Sequence, residues 1–573
     1  MRRGDSAGAR LRDSSNETPA AARGVPRERR REWITPAAAK IGGELKRYKA
    51  AVSSREHFVV AFERFLLYIG KPGAPRGNGR CRIRERTMAE QPTCSRSQMV
   101  SYSVGEGANS LIMNSLFGFA MLYYTDALGL KHSDAGIAMA VAVFWDAITD
   151  PVMGHISDNT RSRFGRRHPY ILLGGLSVVA TYVFLWYVPD LFKTSAQALF
   201  WYLVVINLLQ RTAITILYIP YTALGFEMCT DYRGRVKLQG IRSAMNMLAN
   251  LLGPGLAWSI FFSHNEVVRA TSVEDNYLRM GLSFAAVSLL CILFVLYATR
   301  KYMRDSRQMK TEGNTIAGFF TDMKEIVSDR YPRFVFIFIV VITIGIALVS
   351  SLQMYLYEHF MRFGGVEKSV AHGGTMVGFG LGALAASFLA RRLEKKGAVL
   401  FAGSLSVGCN FILAALFLPT VLAPGQSVVV ASWTIPYAFL IFTLFHGVYW
   451  MGNGIMFPTA TSMIADVSEI NEIRTGINKD GAYAAVFSFA QKCAISISVL
   501  LSGYALTLIG FEPGKEVVQA PETLWRLCAV TLLAGPIISL LSLGLIRLYP
   551  VTNELLTTLR AEKSASSPVL TTR

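Results

Sequence analysis

Two aspartates one helical turn apart, Asp146 and Asp150, interrupt an apolar stretch that reads FWDAITDPVMGHISDNTRSRFGRRHPY over residues 144–170. A carboxylate at the centre of a bilayer costs about 2.5–3.5 kcal/mol even on the mildest insertion scales, so it persists where it faces a protein interior or a water-filled cavity. At i and i+4 the two acids share one helix face. Neighbouring carboxylates repel unless a cation or a proton sits between them, which is the chemistry of a reversible cation site. The plainer reading makes both acids solvated groups at a helix end. Pro151, Val152, Met153, Gly154 and Ile156 speak against it, because they still separate the acids from the basic loop.

Other apolar runs carry polar groups at helical spacing. In LLQRTAITILYIPYTALGF, Arg211, Thr215, Tyr218 and Thr222 fall at i, i+4, i+7 and i+11, so one helix face is polar. Pro220 removes a backbone donor there, which is tolerated only beside protein or a cavity. Thr215 offers a neutral oxygen to a hard cation. Arg211 and Tyr218 either hold an anionic or hydroxylated ligand or, for Arg211, pair with an aspartate in a packed face; both satisfy the cost of burial. In AYAAVFSFAQKCAISISVL, Lys492 lies deep in an apolar run, with Ser488 and Ser496 one turn away on either side. It needs an acid, a ligand or deprotonation. Asp146 and Asp150 are the expected partners, which places the site between opposite halves of the chain. Ser103, Gly107, Ser110 and Asn114 line one side of an earlier run, a pattern that packing of small residues also produces. Gly374, Gly378 and Gly382 have close-packing spacing, and Arg242, following a basic loop, reads as a topology charge that snorkels.

The elements that must position these groups are membrane-length. Apolar runs of about twenty residues recur along the chain. Twelve are expected, starting near Ala108, Asp134, His168, Ala198, Gly240, Tyr277, Arg333, Ser369, Ala398, Ser432, Ala482 and Leu524. The formal charge of +19 over 573 residues would suit a nucleic-acid partner, but most of it, about +12, lies before Met88. The rest clusters in alternate loops: Arg161 to Arg167, Arg233 to Lys237, Arg300 to Lys310, Arg391 to Lys396, Arg474 with Lys479, and Arg560 with Lys563. By the positive-inside rule these loops and both termini are cytoplasmic, so the charge reports topology and no nucleic acid is expected. Seven scattered cysteines show neither a disulfide framework nor zinc spacing.

Residues 1–99 read as a basic N-terminal extension, rich in Arg, Gly, Ala and Ser and lacking the apolar core of a signal peptide. Two readings stand: a disordered segment that meets anionic lipid, or a natural start at Met88, where composition changes abruptly.

The stretch WDAITDPVMGHISDNTRSRFGRRHPY resembles the glycoside–pentoside–hexuronide:cation symporters of the major facilitator superfamily, relatives of the melibiose permease. So do YYTDALGL, IADVSEINEIRTGINKDG and Lys492, with the similarity covering essentially Ser101 to Tyr549. The resemblance implies an all-α membrane protein of the major facilitator fold. Its twelve transmembrane helices would form two six-helix bundles, 100–300 and 333–550, joined by a cytoplasmic loop, 301–332, and followed by a tail, 551–573, around a site that opens alternately to each side. It further implies a multi-pass, monomeric protein of the plasma (inner) membrane that acts on a small-molecule sugar or glycoside, with no cofactor beyond a coupling ion, Na+ or H+. Asp146 and Asp150 match the cation-coordinating aspartates, with Thr149 and Thr215 assisting. Arg242 and Lys492 match the residues that link cation and sugar sites. Ser110, Asn114, Arg211, Tyr218, Thr222 and Phe457 fall among the substrate-binding positions, and Asp158, Arg161, Arg163, Gly165, Arg166 and Arg167 form the gating and topology loop.

The sugar-contacting positions depart from the melibiose pattern. Ser110, Tyr218 and Thr222 stand where a galactoside carrier has two acids and a tryptophan, and Arg211 replaces a small residue. Arg211, Arg242 and Lys492 together lead to the expectation of a positive cavity and an anionic substrate such as a uronide. Loops Arg161 to Arg167 and Ile473 to Lys479 are expected to act as cytoplasmic latches. The nearest alternative is a cation-coupled carrier of an amphipathic lipid. An intramembrane enzyme using the aspartates as acid and base lacks an accompanying nucleophile or metal-ligand set.

Overall fold

The computed structural model describes residues 94–229, 232–262, 269–303, 316–430, 433–477, 479–514 and 517–566, within one compact unit, Met88–Arg573. The basic extension up to residue 93, including the start expected at Met88, lies outside the described residues, as do 304–315 of the inter-bundle loop and the tail beyond 566.

Lipid offers no partners to backbone N–H and C=O groups, so apolar runs within it close their own hydrogen bonds as helices. The helices are α1 Arg96–Leu122, α2 His132–Asn159, α3 His168–Trp186, α4 Ala196–Met228, α5 Tyr232–Leu256, α6 Glu274–Thr299, α7 Ile316–Ser328, α8 Arg330–Tyr355, α9 Gly365–Phe417, α10 Tyr437–Thr475, α11 Asp480–Leu508, α12 Pro521–Arg547 and α13 Asn553–Ser566. Among the described residues, nine helices are long and apolar enough to cross a membrane. α1 and α5 are not among the nine, since both carry a continuous polar stripe described below. At roughly 1.5 Å per residue, the 53 residues of α9 would measure about 80 Å, far more than one crossing. The chain turns instead at Glu394 (φ 57°, ψ 168°), between the runs expected near Ser369 and Ala398. The basic residues at that bend reach α10 through Lys395, whose Nζ donates to both carboxylate oxygens of Asp466 (2.6 and 2.7 Å).

Several sequence boundaries need correcting. The first helix begins at Arg96, not near Ala108, because Ser95 and Gln98 form a capping box. The run expected from Ser432 starts at Tyr437; before it the VVV and WTI segments, β-branched apart from the aromatic Trp433, pair as an antiparallel hairpin, β1 Val428–Val430 with β2 Trp433–Ile435. The 301–332 loop contains α7 and the tail contains α13. Ile326 of α7 and Leu556 of α13 are buried in the same apolar cluster as Phe336 and Met463, so short helices are held there by an amphipathic face.

α2 is sandwiched between α4 and α11, α1 packs on α5, and α5 on α9, so early and late helices meet along two seams. Gly378 and Gly382 bear directly on the backbone of α10 at Gly447 and Met451, leaving no room for a Cβ; with Gly374 they form the close-packing face expected from their spacing.

Candidate functional site

The acid pair is assembled from three helices. Asp146 and Asp150 project from α2 toward α4, where Thr215 Oγ1 lies 2.8 Å from Asp146 Oδ1 and 3.0 Å from Asp150 Oδ1. The hydroxyl has one proton, so it serves the carboxylates alternately or shares its proton between them. Thr149 Oγ1 is 3.3 Å from Thr215 Oγ1 and donates to the Trp145 carbonyl (3.2 Å). Lys492 of α11 completes the set. Its Nζ is 3.0 Å from Asp146 Oδ2, pairs directly with Asp150 Oδ2, and reaches the Asp146 carbonyl oxygen at 3.4 Å. One turn further along α11, Ser496 donates to the Ala140 carbonyl (2.7 Å) and fixes the register of α2 against α11; Ser488 is exposed.

Arg211 is buried at 6 % exposure. Its Nη1 lies 3.8 Å from Asp146 Oδ2, with the guanidinium 5.4 Å over the Phe117 ring and Met113 Sδ 3.8 Å away. Of the two roles open to it in the sequence, pairing with an aspartate matches this placement. Two carboxylates thus face one ammonium and one guanidinium, a balanced set in which Lys492 is the group lying between both acids.

A second polar assembly joins α1 to α5. Arg242 is not a snorkelling surface charge: it is 7 % exposed and both Nε (3.0 Å) and Nη2 (2.6 Å) bond Glu106 Oε2. Glu106 Oε1 accepts from Tyr218 (3.2 Å) and Asn246 (3.4 Å). Along the same seam Asn246 Nδ2 donates to Ser110 Oγ (2.5 Å), and Asn114 bonds Asn250. Glu106, Ser110 and Asn114 on α1 therefore meet Arg242, Asn246 and Asn250 on α5 as three rungs. Sequence reasoning missed Glu106, Asn246 and Asn250. The signal was present, since Glu106 lies one turn before Ser110 and the α5 residues recur at helical spacing.

Between early and late helices lies a cavity of about 320 Å³. Asn114, Asn250, Ser350, Ser351 and Gln491 give it neutral polar groups, while Phe117, Phe379, Trp450 and Phe457 give it aromatic faces. Among the described residues its lining is uncharged, and Arg211, Arg242 and Lys492 each meet a carboxylate. Of the three expected to make a cavity positive, Arg242 lines, with Arg235, Tyr218 and Thr222, a different cavity of about 700 Å³.

The basic loop after α2 is clamped to α4. Glu227 Oε1 takes Arg166 Nη2 (2.8 Å) and Arg167 Nε (2.9 Å), and Arg167 also bonds Ser157 (2.7 Å) and Asp158. Gly165 holds φ +80°, where a Cβ would be strained. Arg161 and Arg163 are exposed, the latter 4.7 Å over Phe164. Lys479 reaches Asp322 (3.2 Å) and Glu325 (2.7 Å) of α7. These contacts tie the basic residues to neighbouring helices, Arg166 and Arg167 to α4 and Lys479 to α7. At the other end of the helices the early and late segments are joined: Asp126 meets His359 (2.9 Å), Thr125 meets Tyr355 (2.7 Å) and Thr271 meets Glu358 (3.1 Å).

Residues 101–553 match the family model described as MFS/sugar transport protein. A glucuronide carrier protein homolog of Escherichia coli is 23 % identical over 80 % of this chain and 93 % of its own length. A sodium-dependent lysophosphatidylcholine symporter of Danio rerio is 30 % identical, over 34 % of this chain and 37 % of its own. In structure, the inward-open xylose transporter of E. coli superposes with a TM-score of 0.53 at 16 % identity, covering 81 % of this chain and 99 % of that one.

Proposed function

The chain belongs to the MFS/sugar transport family, integral multi-pass membrane transporters and not enzymes, and from that premise we propose that it is a sodium-coupled symporter of a neutral glycoside. The observation that carries this reading is Lys492 lying against both Asp146 and Asp150 from the opposite half. The ammonium is a built-in cation. Sodium entering between the carboxylates displaces it, and the α2–α11 seam that Lys492 helps to hold must then rearrange. Differential binding of the ion to two arrangements is what couples it to a second solute. Four oxygens converge here, from the two carboxylates and the hydroxyls of Thr149 and Thr215. Such a set suits a hard metal cation.

The substrate reading rests on the central cavity. Neutral amides and hydroxyls beside aromatic faces suit sugar hydroxyls and an apolar aglycone better than a uronide carboxylate. A volume of about 320 Å³ falls at the small end of ligand pockets, roughly 300–1,000 Å³, which suits a small glycoside. A carrier of an amphipathic lipid remains the second reading because of the local match to the lysophosphatidylcholine symporter.

Eight of the nine apolar helices, the two arms of the ninth, α9, and α1 and α5 give twelve crossings. Basic residues following α2, α4 and α6 and at Glu394 support a topology with the Arg161–Arg167 side and both termini cytoplasmic, and we propose a monomer in the plasma membrane. With the contacts Asp126–His359 and Thr125–Tyr355 across the opposite end, the molecule is then inward-facing. Uptake by proteoliposomes of neutral and acidic glycosides and lysolipids, under separately imposed sodium and proton gradients, tests the proposal. Sodium-driven accumulation of a neutral glycoside is expected; accumulation driven by protons alone, or of lysolipid alone, contradicts it.

A further inference from the structure

Asp126 of the YYTDALGL motif has no part in the cation site, yet it is 2 % exposed and lies where α1 ends. α1 and α8 each finish in one five-residue π turn, Tyr123–Ala127 and Leu356–Phe360. Such turns are rare and recur at functional sites. The fourth residue of the first is Asp126 and the fourth of the second is His359, and the two side chains meet, His359 Nε2 to Asp126 Oδ2, at 2.9 Å. The other ring nitrogen, Nδ1, lies 3.0 Å from Arg269 Nη1, ahead of α6. A guanidinium has only donors, so Nδ1 must accept and the ring proton must sit on Nε2, aimed at Asp126. The closed seam therefore holds His359 as the neutral tautomer in an Arg–His–Asp chain.

The surroundings leave no place for a second ring proton. Lys368 is paired with Glu358, which also accepts from Thr271, and Arg362 borders the same cavity of about 340 Å³ as His359 and Arg269. Tyr355 stacks on the His359 ring, and Phe511 meets both His359 and His132 edge-on. Asp126 is bonded by Thr125 (3.1 Å), and Tyr277 lies beyond it. A proton on Nδ1 would point at a guanidinium N–H, so Arg269 would have to leave. Its Nη2 also donates to the Val517 carbonyl (2.6 Å), a second tie across the seam.

We propose that His359 is a proton-binding site of the outer seam, separate from the aspartate pair, and that protonation expels Arg269 from His359 and from the Val517 carbonyl, opening the cavity beside them to the outside while the His359–Asp126 contact becomes an ion pair. The sidedness rests on the topology proposed above.

Leu524 lines this cavity on α12. In the full chain, Leu524→Cys is alkylated from outside by a membrane-impermeant maleimide between pH 8 and pH 6, with the unsubstituted chain as background. Thiol chemistry alone slows as pH falls; the proposal predicts a rise of several-fold. His359→Gln keeps an N–H for Asp126 and an oxygen for Arg269 but cannot be protonated, and should abolish the rise. A rise that survives His359→Gln, or no rise in the parent, overturns the proton site. A rise seen only with reagent on the inner side supports the proton site and overturns the sidedness. Labelling needs no transported solute, so it is independent of whether sodium drives glycoside uptake.

Discussion

Lys492 Nζ stands 3.0 Å from Asp146 Oδ2 and also pairs with Asp150 Oδ2, so a lysine of α11 fills the place between two acids of α2. The contact ties charge neutrality at the proposed cation site to the packing of two helices from opposite halves. Displacing that ammonium changes both at once, which is the requirement for coupling ion occupancy to a change of access.

Thr215 is the hydroxyl that reaches both carboxylates. Thr215→Val removes that donor and one cation ligand at nearly constant volume. A loss of about 1–1.5 kcal/mol, close to tenfold in sodium affinity, is expected, with Thr215→Ser restoring most of it. Sodium titration of uptake in vesicles checks this, with membrane levels of each variant measured alongside.

Glu106 decides what Arg242 is free to bind. Glu106→Gln leaves a buried guanidinium without its carboxylate, a change worth about 3–5 kcal/mol when a buried pair is broken. Stability should fall, and the freed charge should favour anions: the ratio of uronide to neutral glycoside uptake is expected to rise several-fold. An unchanged ratio in folded protein would count against Arg242 as a latent anion site.

Gly378 bears on the backbone of α10 at Gly447. Gly378→Leu has no space without parting α9 from α10, and overpacking of this kind typically costs about 1–3 kcal/mol. Lower thermal stability of the purified protein is expected, while Gly380→Leu, at a position with open space around its Cα, should leave it unchanged.

The acid pair was legible in sequence because lipid makes a carboxylate conspicuous: Asp146, Asp150 and Lys492 could not have stayed unpaired in apolar runs. Thr215 was found through its polar stripe. Glu106 was passed over because the small residues around it, Ser103, Gly107 and Ser110, fit a packing face equally well, and only the contact with Arg242 separates the two readings. Counting Arg211, Arg242 and Lys492 toward a positive cavity left out that each has a carboxylate neighbour, which only the folded contacts show. α7 and α13 escaped because short amphipathic helices owe their stability to the face they bury, as at Ile326 and Leu556, more than to local propensity.

The account stands on competition between Lys492 and sodium for one pair of carboxylates. Calorimetric titration of sodium into purified protein measures it directly. Lys492→Ala should bind sodium at least about tenfold more tightly than the parent, because about 1.4 kcal/mol or more of competing attraction is removed, and it should no longer couple sodium to uptake; Asp146→Asn should bind none. Sodium affinity that is unchanged in Lys492→Ala, or retained in Asp146→Asn, would contradict the account.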